Sequence, residues 1–132
     1  QLSNLSSRVF SGSGAQTAIV GFALAEGGPR QLLVRASGPA LAAFGVTGTL
    51  ADPQLRLVNN QGVTMAQNDN WAGDAFGPEV AATAARVGAF AYGAASRDAA
   101  ALVTLNPGSY TALVTDAGNG SGNTLIEVYA VP

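Results

Sequence analysis

Residues 52–71, DPQLRLVNNQGVTMAQNDNW, decide the fold. From Gln54 to Val58 polar and apolar residues alternate, with Leu55 and Leu57 on one face and Gln54 and Arg56 on the other. That is the period of a strand with one buried side. Asn59-Asn60-Gln61-Gly62 gathers residues that tolerate positive φ, so the chain reverses there. Val63 to Gln67 returns, and Asn68-Asp69-Asn70-Trp71 ends the unit with three polar side chains beside the single tryptophan. The stretch predicts a β-hairpin that closes on a polar loop.

Outward from the hairpin, short strands follow one another with glycine and proline between them. Gln1 to Phe10 reads as a polar strand carrying Leu2, Leu5, Val9 and Phe10, and residues 11–15 read as a Ser/Gly joint. Gln16 to Ala25 is apolar on both faces, which predicts a strand covered on both sides. Gln31 to Ala36 turns Leu32 and Val34 inward and leaves Arg35 on the opposite face, solvated or paired. Ser37-Gly38-Pro39 breaks that strand, and Ala40 to Val46 forms a helical turn with Leu41 and Phe44 sharing a side. Pro78 and Glu79 open a short helix that Gly88 ends. Ala99–Leu105, Ser109–Asp116 and Thr124–Val131 are the last strands, turning at Pro107-Gly108 and at Asn119-Gly120. This pattern describes a single all-β domain over residues 1–132. It predicts a jelly-roll-like β-sandwich of about eight short strands with one or two helical turns.

Composition narrows the function. The charged fraction is 11%, against roughly 25% in ordinary domains, and the net charge is −2. Neither nucleic acid nor an anionic membrane surface suits such a chain. No apolar run approaches the ~20 residues that span a bilayer. Cysteine, histidine and lysine are absent, and all 6 basic residues are arginine. That removes thiol nucleophiles, Ser-His pairs and ordinary zinc sites. Catalysis would rest on 8 carboxylates and 3 tyrosines, and the sequence places no two acids together. The chain reads as non-enzymatic, with no catalytic residue and no cofactor. Gln1 in place of an initiator Met is expected for a mature chain after signal-peptide removal, hence an extracellular or cell-surface location.

Several motifs carry a resemblance. Asp52-Pro53-x-Leu55-x-Leu57, Gly62, Asn68-Asp69-Asn70-Trp71 and Leu105-x-Pro107-Gly108-x-Tyr110-Thr111-x-x-Val114 resemble the secreted bacterial β-sandwich modules of the pre-peptidase C-terminal type over roughly residues 52–129. Nearly the whole chain is similar to uncharacterised exported bacterial modules that also carry Arg35-Ala-x-Gly-Pro39, Ser96-x-Asp98-Ala-Ala100 and Glu127-Val-Tyr129. The resemblance implies an extracellular jelly roll that is accessory or structural, not catalytic. Some relatives bind calcium or matrix polymers through an acidic cluster in their first half. This chain has only Glu26 before Asp52, and no ligand set is carried over.

Three candidate sites remain. Asp52, Asn68 and Asp69 offer oxygens to calcium, or else cap the turn by bonding to nearby backbone. Asp69, Asn70 and Trp71 offer a stacking ring and hydrogen-bond partners to a glycan or matrix polymer, or else Trp71 is core. The first strand, behind its joint, suits donation to a second copy of the chain, with Leu2, Leu5, Val9 and Phe10 as anchors, or else it pairs within its own domain. Sparse charge leaves strand edges thinly protected, so a self-assembling filament or surface layer is the leading expectation. Asn4-Leu5-Ser6 and Asn119-Gly120-Ser121 also match the glycosylation sequon by spacing.

Overall fold

The computed structural model describes residues 4–12, 14–73 and 75–132; Leu2 lies outside them. In chain order the strands are β1 (Asn4–Ser11), β2 (Ala18–Leu24), β3 (Arg30–Ser37), β4 (Pro53–Asn59) and β5 (Thr64–Asn68), followed by helix α1 (Gly77–Val87) and then β6 (Ala99–Leu105), β7 (Gly108–Asp116) and β8 (Gly122–Ala130). They form two four-stranded antiparallel sheets, ordered β1-β8-β3-β6 and β2-β7-β4-β5. The pairs β1·β8, β2·β7, β3·β6 and β4·β5 nest inside one another, so the chain is one long hairpin rolled into a sandwich. Added pairings of β3 with β8 and of β4 with β7 complete the two sheets. This is the jelly-roll arrangement expected from the sequence.

The quoted stretch is the tip of that nested hairpin. Gly62 turns with φ 78°. Asn59 Oδ1 accepts the amides of Gln61 at 2.9 Å and Val63 at 3.0 Å, which satisfies backbone the ladder leaves free. Opposite Leu57 and Val58 the register shifts, leaving Met65 as the extra residue of β5, so the bulge bends β5 just after the turn.

Two cores share the first sheet. Between the sheets, Leu32, Val34 and Ala36 of β3 meet Leu55 and Leu57 of β4, Val114 of β7 and Ile126 and Val128 of β8. On the outer face of the first sheet, Leu33, Ala100 and Tyr129 pack with Trp71 and with Val80 and Ala84 of α1. Val80, Thr83 and Ala84 are the buried stripe of that helix, at the spacing an amphipathic helix requires. Glu79 in its first turn and Arg86 in its last complement the helix dipole, and Gly88 closes it with φ 78°.

The strand covered on both faces is β3, in which every residue from Leu32 to Ser37 is buried. The expectation that Gln16–Ala25 holds that place is corrected. β2 is an edge strand, and its Ile19 is 60% exposed on the open outer face of the second sheet. Apolar residues on both sides of a strand do not by themselves recruit a covering layer; the helix that supplies one sits over β3 and β6. Likewise Pro39–Phe44 forms a 3-10 helix in which Leu41 is buried, whereas Phe44 stays 61% exposed with its ring at 4.9 Å from Phe90.

Truncation tests the two-sided burial. Leu32→Ala and Leu33→Ala, on opposite faces of β3, are each expected to cost ~2–5 kcal/mol in urea denaturation. Ile19→Thr is expected to stay within ~0.5 kcal/mol of wild type.

Candidate functional site

The most heavily connected polar centre lies between the first sheet and its outer layer. Arg35 on β3 is 1% exposed. Directly across the register is Glu127 on β8. Its Oε1 accepts from Arg35 Nε at 3.1 Å and from Nη2 at 2.8 Å. Nη1 donates to the carbonyl of Phe90 at 2.6 Å. The guanidinium lies 4.4 Å from the Phe90 ring centre and 4.2 Å from that of Tyr92. Tyr129 donates its hydroxyl to Glu127 Oε2. Burial, and then this bond to an anion, push its pKa up to about 12, so it remains a neutral donor. Burial raises the Tyr92 phenol as well, and its oxygen shares a hydrogen bond with Ser37.

The three motifs of the closer resemblance meet here. Asp98 Oδ1 accepts the amides of Gly38 at 2.6 Å and Ala40 at 3.1 Å, fixing the chain where Pro39 interrupts it. Ser96 donates to Asp98 Oδ2. Gly38 is required at its position because a Cβ there would fall 2.3 Å from the carbonyl oxygen of Leu50. Residues 35–39, 96–100 and 127–129 thus clamp the segment 89–98 and the start of the 3-10 helix onto the sheet. Arg35 is neutralised by Glu127, which leaves it no free charge for an anionic ligand. The cleft beside it holds about 140 Å³ and is lined by Arg35, Trp71, Val80, Ala84, Ala89 and Tyr92. Trp71 itself is only 9% exposed and donates Nε1 to the carbonyl of Gly93 at 2.9 Å. It belongs to the outer core and presents no open ring face on the surface.

The polar loop after β5 divides its residues. Asn68 Oδ1 accepts the amide of Ala100 at 3.1 Å and so ties β5 to β6 across the end of the sandwich. Asn70 is exposed and gives its carbonyl to Gly73 and to Asn68 Nδ2. Asp69 meets Asp52. One oxygen of each, Asp52 Oδ1 and Asp69 Oδ1, is buried and receives no hydrogen bond from any other described residue. Burial first, then the hydrogen bond and charge of Asp52, raise the Asp69 pKa above its ordinary 3.8, while Arg97 pulls it the other way. Asp116 sits close by, but its oxygens hold the amides of Asp52, Gly118 and Gly120. Among the described residues no three acidic, histidine or cysteine side chains are disposed around a metal position.

At the edge of the first sheet, β1 pairs along its whole length with β8 of the same chain, from Asn4↔Tyr129 to Ser11↔Gly122. Leu5 and Val9 pack half-buried against the sandwich core. Phe10 faces outward and is 55% exposed. Ser11 Oγ reaches across to the carbonyl of Val114 at 2.6 Å and links the two sheets.

Comparison with known proteins follows the topology. The chain superposes on the pre-peptidase C-terminal domain of a collagenase from Bacillus anthracis with a TM-score of 0.55, covering 96% of this chain and 89% of that one at 15% identity. The likeness is one of fold. A structure from Sulfurospirillum deleyianum matches across 98% of both chains at 10% identity with a TM-score of 0.41. No protein-family profile and no curated protein matches the sequence. No helix among the described residues is long and apolar enough to cross a membrane.

Breaking the buried pair by Arg35→Ala is expected to destabilise the chain by ~3–5 kcal/mol, because Glu127 is left buried and unpaired. Arg35→Met with Glu127→Met should restore most of that loss, as measured by urea denaturation. For Asp69 the raised pKa fixes the sign. Its neutral form favours folding below pH 3.8, and that contribution is lost as pH rises through the higher folded value. Asp69→Asn should therefore raise the thermal midpoint at pH 7, with the gain vanishing towards pH 3; an unchanged midpoint at pH 7 would contradict it.

Proposed function

We propose that this chain is an exported, non-enzymatic structural subunit that joins copies of itself into an extracellular filament or surface layer by donating β1 to a neighbour. The observation that carries the reading is the way β1 is held. Its attachment is chiefly the backbone ladder with β8, supplemented by Leu5, Val9 and the Ser11 hydroxyl. A ladder of this kind is indifferent to which copy supplies the strand. The joint behind it is a tight reversal: Gly12 N donates to Gln16 O at 2.8 Å and Thr17 N to Gly14 O at 3.1 Å. Straightening that joint frees β1 while leaving the other seven strands paired. The sparse charge and open sheet edges favour close approach of copies.

Removal of residues 1–11 tests this. The shortened chain should remain folded and monomeric, fail to form fibres by negative-stain electron microscopy, and regain a β8 partner when a synthetic 1–11 peptide is supplied. Fibres that persist in the shortened chain would sink the reading.

A second reading rests on two neighbouring carboxylates, each with a buried oxygen that no other described residue serves. Asp52 and Asp69 attract a divalent cation between them, as in an accessory module that takes calcium. Asn68 adds little, since its oxygen already serves Ala100. Calcium should raise the thermal midpoint of wild type and leave Asp69→Asn unmoved; equal responses would dismiss it. A glycan-binding role centred on Trp71 lacks an exposed ring to stack on, and polar neighbours alone do not favour it.

A further inference from the structure

The loop between β7 and β8 contains the sequence Asn119-Gly120, the pairing most prone to spontaneous loss of the asparagine amide because glycine leaves the next backbone nitrogen unhindered. In that reaction the Gly120 nitrogen gives up its proton and attacks Asn119 Cγ. A nitrogen–carbon bond forms, the Cγ–Nδ2 bond breaks, and the amide nitrogen leaves as ammonia, carrying the proton. Water then opens the succinimide at either carbonyl to give aspartate or isoaspartate. No electron transfer is involved.

Asn119 is exposed and holds φ 62°, a positive value otherwise confined to glycine among the described residues. Its side chain donates no hydrogen bond within the described residues that would withdraw it from this chemistry. The attacking nitrogen is different. Gly120 N–H donates to Asp116 Oδ2 at 3.0 Å, and the same oxygen takes the Gly118 amide at 3.0 Å. Asp116 Oδ1 is held in turn by the amide of Asp52 at 2.8 Å, while Ala117 N donates to the carbonyl of Asp52 at 2.8 Å. Asp116 is itself 9% exposed, so the carboxylate is fixed by the fold and not by solvent. A Cβ at position 120 would lie 3.1 Å from Asp116 Oδ2, so the glycine that makes the bond vulnerable also lets the carboxylate approach.

We propose that Asn119 is a succinimide-forming modification site and that Asp116 guards it. Attack requires the Gly120 nitrogen to break its hydrogen bond and to develop negative charge beside an existing carboxylate. Both raise the barrier while the loop is closed. Conversion takes place when the loop opens locally, and the product adds a carboxylate to the turn that Asp116 closes, which works against reclosure.

Peptide mapping with isoaspartyl quantification on the untagged chain, aged at pH 7.4 in buffer and in urea, is the test. The native chain should convert at residue 119 at least about tenfold more slowly than the unfolded chain, equivalent to a local opening cost of roughly 1.4 kcal/mol. Asp116→Ala, if its circular dichroism stays native, should lose most of that difference. A native wild-type chain that converts at the unfolded rate overturns the proposal. So does an Asp116→Ala chain that converts no faster than wild type, and one that converts more slowly would make the carboxylate a base instead of a guard. Hydrogen exchange at the wild-type Gly120 amide checks the same point without a variant: slowing by a similar factor is expected, and exchange at the unfolded rate overturns it.

Discussion

A guanidinium that is 1% exposed has to be neutralised and hydrogen-bonded, and in this chain those requirements organise the whole outer layer. Arg35 is supplied from three directions: by Glu127 in the adjoining strand, by the carbonyl of Phe90, and by the rings of Phe90 and Tyr92. Each supplier is then fixed by something else. Tyr129 holds Glu127, Ser37 holds Tyr92, and Trp71 ties Gly93 to the floor of the helix. The segment 89–98 has little regular structure of its own, yet it is anchored repeatedly to β3. The sandwich interior is held by apolar burial that tolerates repacking; the outer layer depends on a geometry in which each group has a specified partner.

This difference explains what could be read from the sequence. The β4–β5 hairpin announces itself through period-two alternation and the Asn59–Gly62 turn, both local signals. The helix at 77–87 and the turns at Gly88 and Pro107-Gly108 are legible for the same reason. Arg35, Glu127 and Tyr129 stand out as motif residues, but the pairing of Arg35 with Glu127 joins positions 92 apart and is visible only once β3 and β8 are neighbours. The faces of β2 mislead because coverage belongs to the sheet and not to the strand. Ile19 would be buried if the helix lay over the second sheet instead of the first.

The polar loop shows the same limit at a smaller scale. Asn68, Asp69, Asn70 and Trp71 are consecutive, which invites the idea of one site, yet the fold sends them to four destinations. Asn68 fastens β5 to β6, Asp69 faces Asp52, Asn70 stays in solvent, and Trp71 enters the outer core. Alternation of side chains about a turning backbone separates neighbours in sequence as readily as pairing unites distant ones.

The nesting of the strand pairs also fixes where the polypeptide crosses the boundary of the domain. Asn4 and Tyr129 are register partners on neighbouring strands, so the backbone enters and leaves at one corner of the sandwich, running in opposite directions. A unit with that geometry can interrupt a surface loop of a larger protein without stretching its host, and units of this kind strung in series hang to the side of their connecting line. Tension applied between the two ends would load the β1·β8 ladder from one extremity and open it pair by pair, like a zipper. The remaining strands would feel that load only after β1 had peeled away.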